Sequence, residues 1–340
     1  RLTSPAAGRH ESCRMDPSNQ TSTERPVVIS PLISVAVQDL ILLVNDVALS
    51  CSLSFFGIFT NLANIIVFTK MGFSEMSNMN FLALSVFDLL VSIVTLFTKL
   101  FYSPVLRDFM SGPVESLVSG TMVLMTFVVI GGSAMMTALI STERCLCIVF
   151  PLKMKRILTP RRALYCILLI VAYHSAFLIL LYADAGPQNE YSRRLSVYYF
   201  SFYTVPSTTC FFIVLFTTIA MVARLNKNLQ WRLQTTQRSD KNTDKESKIA
   251  KTIIAISTIF IVCFFPNAAN FIAQSIYPAY SYVDPYLWTL ITVVFSFTGV
   301  LQALSSSINI VFYYQMSSRY KKVFTSCFCS ESEKETAVAN

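Results

Sequence analysis

The chain has 340 residues, of which 54% are hydrophobic and only 14% charged, where a soluble globular chain carries roughly 25% charged residues. Length alone would allow two soluble domains or one helical membrane bundle. Seven charge-free runs, at 47–69, 76–98, 116–142, 163–183, 195–223, 252–283 and 285–318, with Asp88 the one exception, decide for the bundle, because each can cross the roughly 30 Å of hydrocarbon that takes about 20 residues.

The net charge of +8 would suggest a nucleic-acid partner if the chain had a soluble basic face. With the N-terminus outside, however, the inner connections hold 19 Lys and Arg against 8 Asp and Glu, and the outer ones 8 against 10. This is the positive-inside bias of a multi-pass membrane protein. The expectation is an all-α membrane protein at the plasma membrane with an extracellular N-terminus, in contact with lipid and not with nucleic acid. Its segments are an extracellular stretch 1–46, a seven-transmembrane domain 47–315 and an inner tail 316–340 that includes a short amphipathic eighth helix.

In chain order, residues 1–25 are polar and contain the N-glycosylation acceptor Asn19-Gln20-Thr21, which works only in a luminal segment. The chain opens on Arg1 rather than on a methionine, as a fragment would. Residues 26–46 are apolar but interrupted by Pro31, Gln38, Asp39 and Asp46, and are expected to be an interfacial or extended lead. The first span carries Asn61 after Thr60, and the second carries Leu84-Ser85-Val86-Phe87-Asp88. A carboxylate in hydrocarbon is expensive and needs partners, so Asp88 is a functional candidate by default.

The third span ends Ser141-Thr142-Glu143-Arg144-Cys145, with Pro151-Leu152 beyond. Ser133, eleven residues before Arg144, lies about three turns away on the same face. The outer connections near 99–115 and 184–194 carry Pro, Gly and mixed charge, and the inner segment 224–251 is polar and basic, a mobile loop between helix extensions. The sixth span holds Cys263-Phe264-Phe265-Pro266, where the proline removes a backbone hydrogen bond and bends the helix. The seventh ends Ser305-Ser306-Ser307-Ile308-Asn309-Ile310-Val311-Phe312-Tyr313, with Ser305, Ser306 and Asn309 on one face. Beyond it Arg319, Lys321 and Lys322 alternate with Tyr320, Val323 and Phe324, a pattern for a helix lying on the inner leaflet. Cys327 and Cys329 there are candidate palmitoylation sites. The nine cysteines form no metal or disulfide spacing, and most are apolar fillers within spans.

These motifs, in order and in five of the seven spans, resemble those of rhodopsin-like (class A) G-protein-coupled receptors. Glu143-Arg144-Cys145 is similar to the family's (D/E)-R-(Y/C) signature, Cys263-Phe264-Phe265-Pro266 to C-W-x-P with Phe for Trp, and Asn309 through Tyr313 to N-P-x-x-Y with Ile310 for proline. Asn61 and Asp88 match the family's anchors in the first two helices.

The resemblance implies a ligand-activated receptor for a heterotrimeric G protein, with Arg144 paired to Glu143 and to Glu246, twenty residues before Pro266, in the inactive state. Exposed in a basic loop, such a link would be worth almost nothing. It also implies a sodium ion among Asp88, Ser133, Ser305, Ser306 and Asn309, although the same residues would serve equally as a hydrogen-bonded core without an ion.

The usual outer disulfide is missing: Ser119 stands where its third-helix cysteine belongs. The fourth-span tryptophan is absent too, and Val214 replaces the tyrosine that usually follows the fifth-helix proline, here Pro206. The amine-binding aspartate corresponds to Thr126 and the retinal lysine to Ala303, which argues against biogenic amines and light. The pocket positions Thr126, Phe127, Ile130, Tyr198, Phe202, Asn267, Phe271 and Gly299 are aromatic with a few neutral polar groups, a lining that suits a peptide or small chemosensory ligand. In texture the chain resembles divergent molluscan chemosensory and invertebrate peptide receptors. A transporter or channel is the alternative, but it calls for repeats, broken helices or several intramembrane charges, and His174 reads as a core histidine. No nucleophile–base pair or metal-ligand set is visible, so no enzyme is expected.

Overall fold

The structure is a computed structural model that describes residues 30–107, 113–150, 154, 159–183, 194, 197–235, 241–277 and 279–328. Side chains at 107, 113–120, 182, 228–235, 241–250, 252 and 316 lie outside that description. Following the charge bias, the end of the bundle near Ser34 is termed outer and the end near Arg144 inner.

Seven helices are long and apolar enough to cross a membrane. They are α1 (Val35–Met71), α2 (Met76–Phe101), α3 (Pro113–Val149), α4 (Pro160–Ala183), α5 (Val205–Thr235), α6 (Lys241–Ile276) and α7 (Trp288–Ser307, resuming as Asn309–Met316). A short α8 (Ser318–Phe328) follows. The described residues contain no strand. Leu164, Leu168, Leu169, Ile179 and Leu180 along α4 are exposed, as lipid-facing side chains would be.

The first helix corrects an expectation. Residues 35–46 are not an extended lead but the outer part of α1, whose N-cap Ser34 accepts from the Val37 N–H at 3.4 Å. The charge count ended the span at Asp46. The helix tolerates that carboxylate because it is buried against Lys99 of α2, Nζ to Oδ1 2.9 Å, and accepts from the Ser296 hydroxyl of α7 at 2.8 Å. Around it the helix widens into a π-helical stretch, Leu43–Ser50, a local distortion frequent at functional sites.

Small residues decide how closely the helices approach. A Cβ on Gly57 would lie 2.5 Å from Ser92 Oγ of α2 and 3.1 Å from Ser307 Cβ of α7. On α3, a Cβ on Gly131 would lie 2.9 Å from His174 Nε2 of α4, and one on Gly132 only 2.2 Å from the Phe87 ring of α2. The Gly-Gly pair thus seats α3 between two neighbours. His174 is buried, with Nδ1 against the Ile170 carbonyl at 2.9 Å.

Prolines leave carbonyls to be satisfied elsewhere. Pro206 has no N–H for the Phe202 carbonyl four residues earlier; there the chain forms a π turn, Phe200–Thr204, and the Phe202 carbonyl accepts from the Tyr173 hydroxyl of α4 at 3.4 Å. The break in α7 at Ile308 has no proline behind it. Instead α1 takes two carbonyls: Asn61 Nδ2 donates to Ser306 O at 2.9 Å and Thr60 Oγ1 to Ser307 O at 3.1 Å. The hydroxyls of Ser306 and Ser307 turn back to the Ala303 carbonyl at 3.1 and 2.5 Å. Thr60 and Asn61 thus tie the inner end of α7 to α1, at the turn that carries no proline.

Three apolar clusters stack along the bundle. The inner one joins Val67, Phe68, Phe81, Met136, Met221, Ile253, Tyr313 and Tyr320. The middle one joins Ala134, Phe211, Val214, Phe260 and Phe264 across α3, α5 and α6, with buried Val214 filling the expected tyrosine position. The outer one packs Leu124, Phe177 and Leu181 against Tyr198 and Phe202.

Candidate functional site

At the inner end, Glu143 is buried, and its Oε2 accepts from Asn80 Nδ2 of α2. Arg144 Nη2 donates to Ser77 Oγ, one turn earlier on the same helix. Glu143 and Arg144 thus each hydrogen-bond to α2, while the adjacent Arg144 charge still acts on the Glu143 carboxylate. The reason is local: Ser77 and Asn80 present a hydroxyl and an amide, three residues apart, to the end of α3. Glu246 lies within α6, but its side chain is outside the described residues, as are Asn19 and Cys329. The described tie from α3 to α5 and α6 is a hydroxyl chain. Ser141 Oγ lies 2.8 Å from Thr217 Oγ1 and accepts from Ser257 Oγ at 3.4 Å. Cys145 is half-buried against the inner cluster and Cys327 half-buried on α8.

Tyr313 is buried among Phe68 and Phe81, with ring centroids 5.0 Å from each, and Tyr320 of α8, 5.7 Å away. Among the described residues its buried hydroxyl has no partner. Tyr320 docks α8 to α1: its hydroxyl donates to Asn64 Oδ1 at 2.5 Å, and Asn64 Nδ2 donates to Asn61 Oδ1 at 3.4 Å. Burial raises the Tyr320 hydroxyl above an ordinary phenol, so it remains a neutral donor. Arg319 adds bonds to Glu75 and to the Met71 carbonyl, both 2.9 Å.

Mid-bundle, Asp88 is buried and accepts from Ser133 Oγ at 2.6 Å through Oδ1 and from Asn309 Nδ2 at 2.8 Å through Oδ2. Three helices therefore meet on one carboxylate. Ser306 and Ser305 do not join it: Ser306 bonds within α7, and Ser305 is only half-buried. Both precede the irregular turn at Ile308, and Asn309, which follows it, is the α7 residue that reaches the carboxylate. Cys263 and Phe264 are buried and Phe265 is exposed; Phe264 stacks on Phe260 at 5.2 Å and on Phe211 at 6.2 Å. Pro266 lies inside α6 and leaves the Val262 carbonyl without its usual donor.

In the outer half, Phe127 packs on Tyr199 and Tyr203 at 4.6 and 4.7 Å, and Tyr203 meets Phe271 edge-on at 5.6 Å. Asn267 is buried beside the Tyr203 hydroxyl. Thr126 Oγ1 lies 3.2 Å from Thr98 Oγ1 and donates to its own helix at Met122 O, 2.8 Å. Phe202 stacks on Phe177 at 5.2 Å and lies 6.5 Å from Tyr198, so these two belong to the α4–α5 packing, while Ile130 packs on the middle cluster. Gly299 faces Lys99, whose Nζ would lie 2.9 Å from a Cβ there. Sequence reasoning missed Tyr199, Tyr203, Asn64 and the Ser141 chain. It read Asp46 as an interruption of an apolar stretch and counted Lys99 with Asp88 and His174 among the ionisable residues away from the inner ends, without pairing the two.

No curated relative matches the chain. A sequence model described as 7 transmembrane receptor (rhodopsin family) matches residues 61–313, from the Asn61 that grips α7 to the Tyr313 beneath it. That match covers most of the chain and the geometry around it, and the protein belongs to the rhodopsin family of seven-transmembrane receptors, a family of G-protein-coupled signalling receptors rather than of enzymes.

Proposed function

We propose that the protein is a plasma-membrane receptor with an extracellular N-terminus, which binds a peptide or small chemosensory ligand in its outer half and signals to a heterotrimeric G protein at its inner end. One observation carries the reading. Phe260, Phe264, Asn267 and Phe271 form a buried stripe on α6 at helical spacing, joining the outer aromatic cluster to the middle one across Pro266. A ligand that repositions Phe271 or Asn267 acts on a helix already weakened at the proline, and swinging its inner half parts Ser257 from Ser141. The cleft so opened exposes Arg144, whose bond to Ser77 is to an uncharged hydroxyl and is exchangeable. A sodium ion at Asp88, beside Ser133 and Asn309, would favour the arrangement with α2, α3 and α7 drawn together.

The test is expression of the full chain in reporter cells carrying promiscuous G proteins, challenged with peptides and odorants. A response that Asn267→Ala abolishes at normal surface expression is expected. Substrate flux or ion current from the purified protein in vesicles, with no G-protein response, would overturn the proposal in favour of a transporter or channel.

A further inference from the structure

The Asp46–Lys99 pair makes a poor fastener. A buried ion pair seldom stabilises more than apolar residues of the same volume, and ionisable groups at membrane depth mark function by default. The pair also has bonding capacity left over. An ammonium carries three donors, and Lys99 spends one, on Asp46 Oδ1. That same Oδ1 takes the Ser296 hydroxyl, so among the described residues Oδ2 receives nothing. Thr95, one turn inward of Lys99 on the same face, is buried, and among the described residues neither its hydroxyl nor the buried Asn45 amide beside Asp46 has a partner. The lysine and aspartate side chains keep 19% and 11% of their surface open, so neither is sealed in the core.

Two features define what fits. The pair is electrically neutral as a whole, so a ligand with a single charge would leave one charge uncompensated in a poorly solvated place. A ligand bearing an ammonium and a carboxylate on neighbouring atoms leaves none, because each group meets its opposite and the four charges alternate. The pair also adjoins the aromatic cluster by two routes. Ser296 follows Phe295, which packs on Phe271 at 6.1 Å. Lys99 follows Thr98, which meets Thr126 at 3.2 Å next to Phe127. A ligand whose charged head lies between α1, α2 and α7 would therefore present its aromatic body to the edge of this ring cluster.

We infer that the Asp46–Lys99 pair, with Ser296 and Thr95, is the headgroup site for an aromatic amino-acid zwitterion, its carboxylate on Lys99 and its ammonium on Asp46. The inference rests on the receptor reading and names the ligand class for its outer site.

The experiment is thermal stability of the full chain in lipid nanodiscs with L-phenylalanine, phenethylamine and hydrocinnamate as probes. L-phenylalanine is expected to stabilise the wild type at concentrations lower by about tenfold or more than either singly charged analogue, a gap of about 1.4 kcal/mol. Lys99→Met, which leaves a net negative site, is expected to lose L-phenylalanine and gain phenethylamine, and Asp46→Asn to gain hydrocinnamate. Stabilisation by either analogue equal to that by L-phenylalanine, or none by L-phenylalanine at millimolar concentration, overturns the inference. The wild-type comparison decides alone where a variant does not fold. Basal nucleotide exchange on an added G protein, measured on the wild type in the same nanodiscs, tests the receptor reading separately.

Discussion

The side-chain amide of Asn61 on α1 donates to the main-chain carbonyl of Ser306 on α7 across 2.9 Å, beside the bond from Thr60 to Ser307 and just before the irregular turn at Ile308. Removing the donor strands a carbonyl where no water can replace it. Asn61→Leu is expected to cost about 1–3 kcal/mol and Thr60→Val about 1 kcal/mol, read as lower melting temperatures in detergent. Ile310→Pro, which restores a break independent of α1, should recover part of the Thr60→Val loss. An unchanged melting temperature in Asn61→Leu would show that the bond does not hold the break.

The Asp88 carboxylate, with two neutral donors and no cationic partner among its hydrogen bonds, is expected to take sodium. Replacing choline chloride by sodium chloride should raise the wild-type melting temperature, with about 1.4 kcal/mol of stabilisation at ten times the dissociation constant. Asp88→Asn should abolish the difference. Equal melting in both salts would leave Asp88 as a hydrogen-bonded core group only.

Gly132 has no room for even a methyl group, since its Cβ would lie 2.2 Å from Phe87. Gly132→Ala should therefore cost about 1–3 kcal/mol by overpacking and lower surface expression. Phe87→Leu in the same chain should restore much of it. Gly72 makes the useful contrast: a side chain there meets nothing within 4 Å, but φ is 80°, so Gly72→Ala strains the backbone alone.

Tyr320→Phe keeps the ring against Phe68 and Phe324 and removes only the hydroxyl that satisfies Asn64. The buried amide oxygen left behind should cost about 1–3 kcal/mol and loosen α8, detectable as faster amide hydrogen exchange across 318–328. Arg319→Ala, which removes an exposed pair with Glu75, should cost under about 1 kcal/mol. Equal effects of the two changes would contradict Tyr320 as the anchor.

Much of the fold was legible because span assignment needs only local apolarity, and the motif spacings name the helices that carry Asp88, Arg144, Pro266 and Asn309. The expectation failed where a polar group found a distant partner. Asp46 ended a span on paper and sits inside a helix in fact, because Lys99 lies 53 residues away in sequence and 2.9 Å away in space. Ser305 and Ser306 were grouped with Asn309 on paper, but only Asn309 donates to Asp88, while the Ser306 hydroxyl bonds to Ala303 of its own helix.

By itself, then, the amino-acid sequence determined seven apolar spans, a basic inner side and the family motifs, since hydropathy and spacing are properties of neighbouring residues. Only the tertiary structure decided which side chains share a bond: Arg144 with Ser77, Asn61 with the Ser306 carbonyl, Asp46 with Lys99 and Ser296. In a medium without water a buried polar group finds a partner only in another part of the chain, and helix packing, set by residues as small as Gly57 and Gly132, determines which part is within reach.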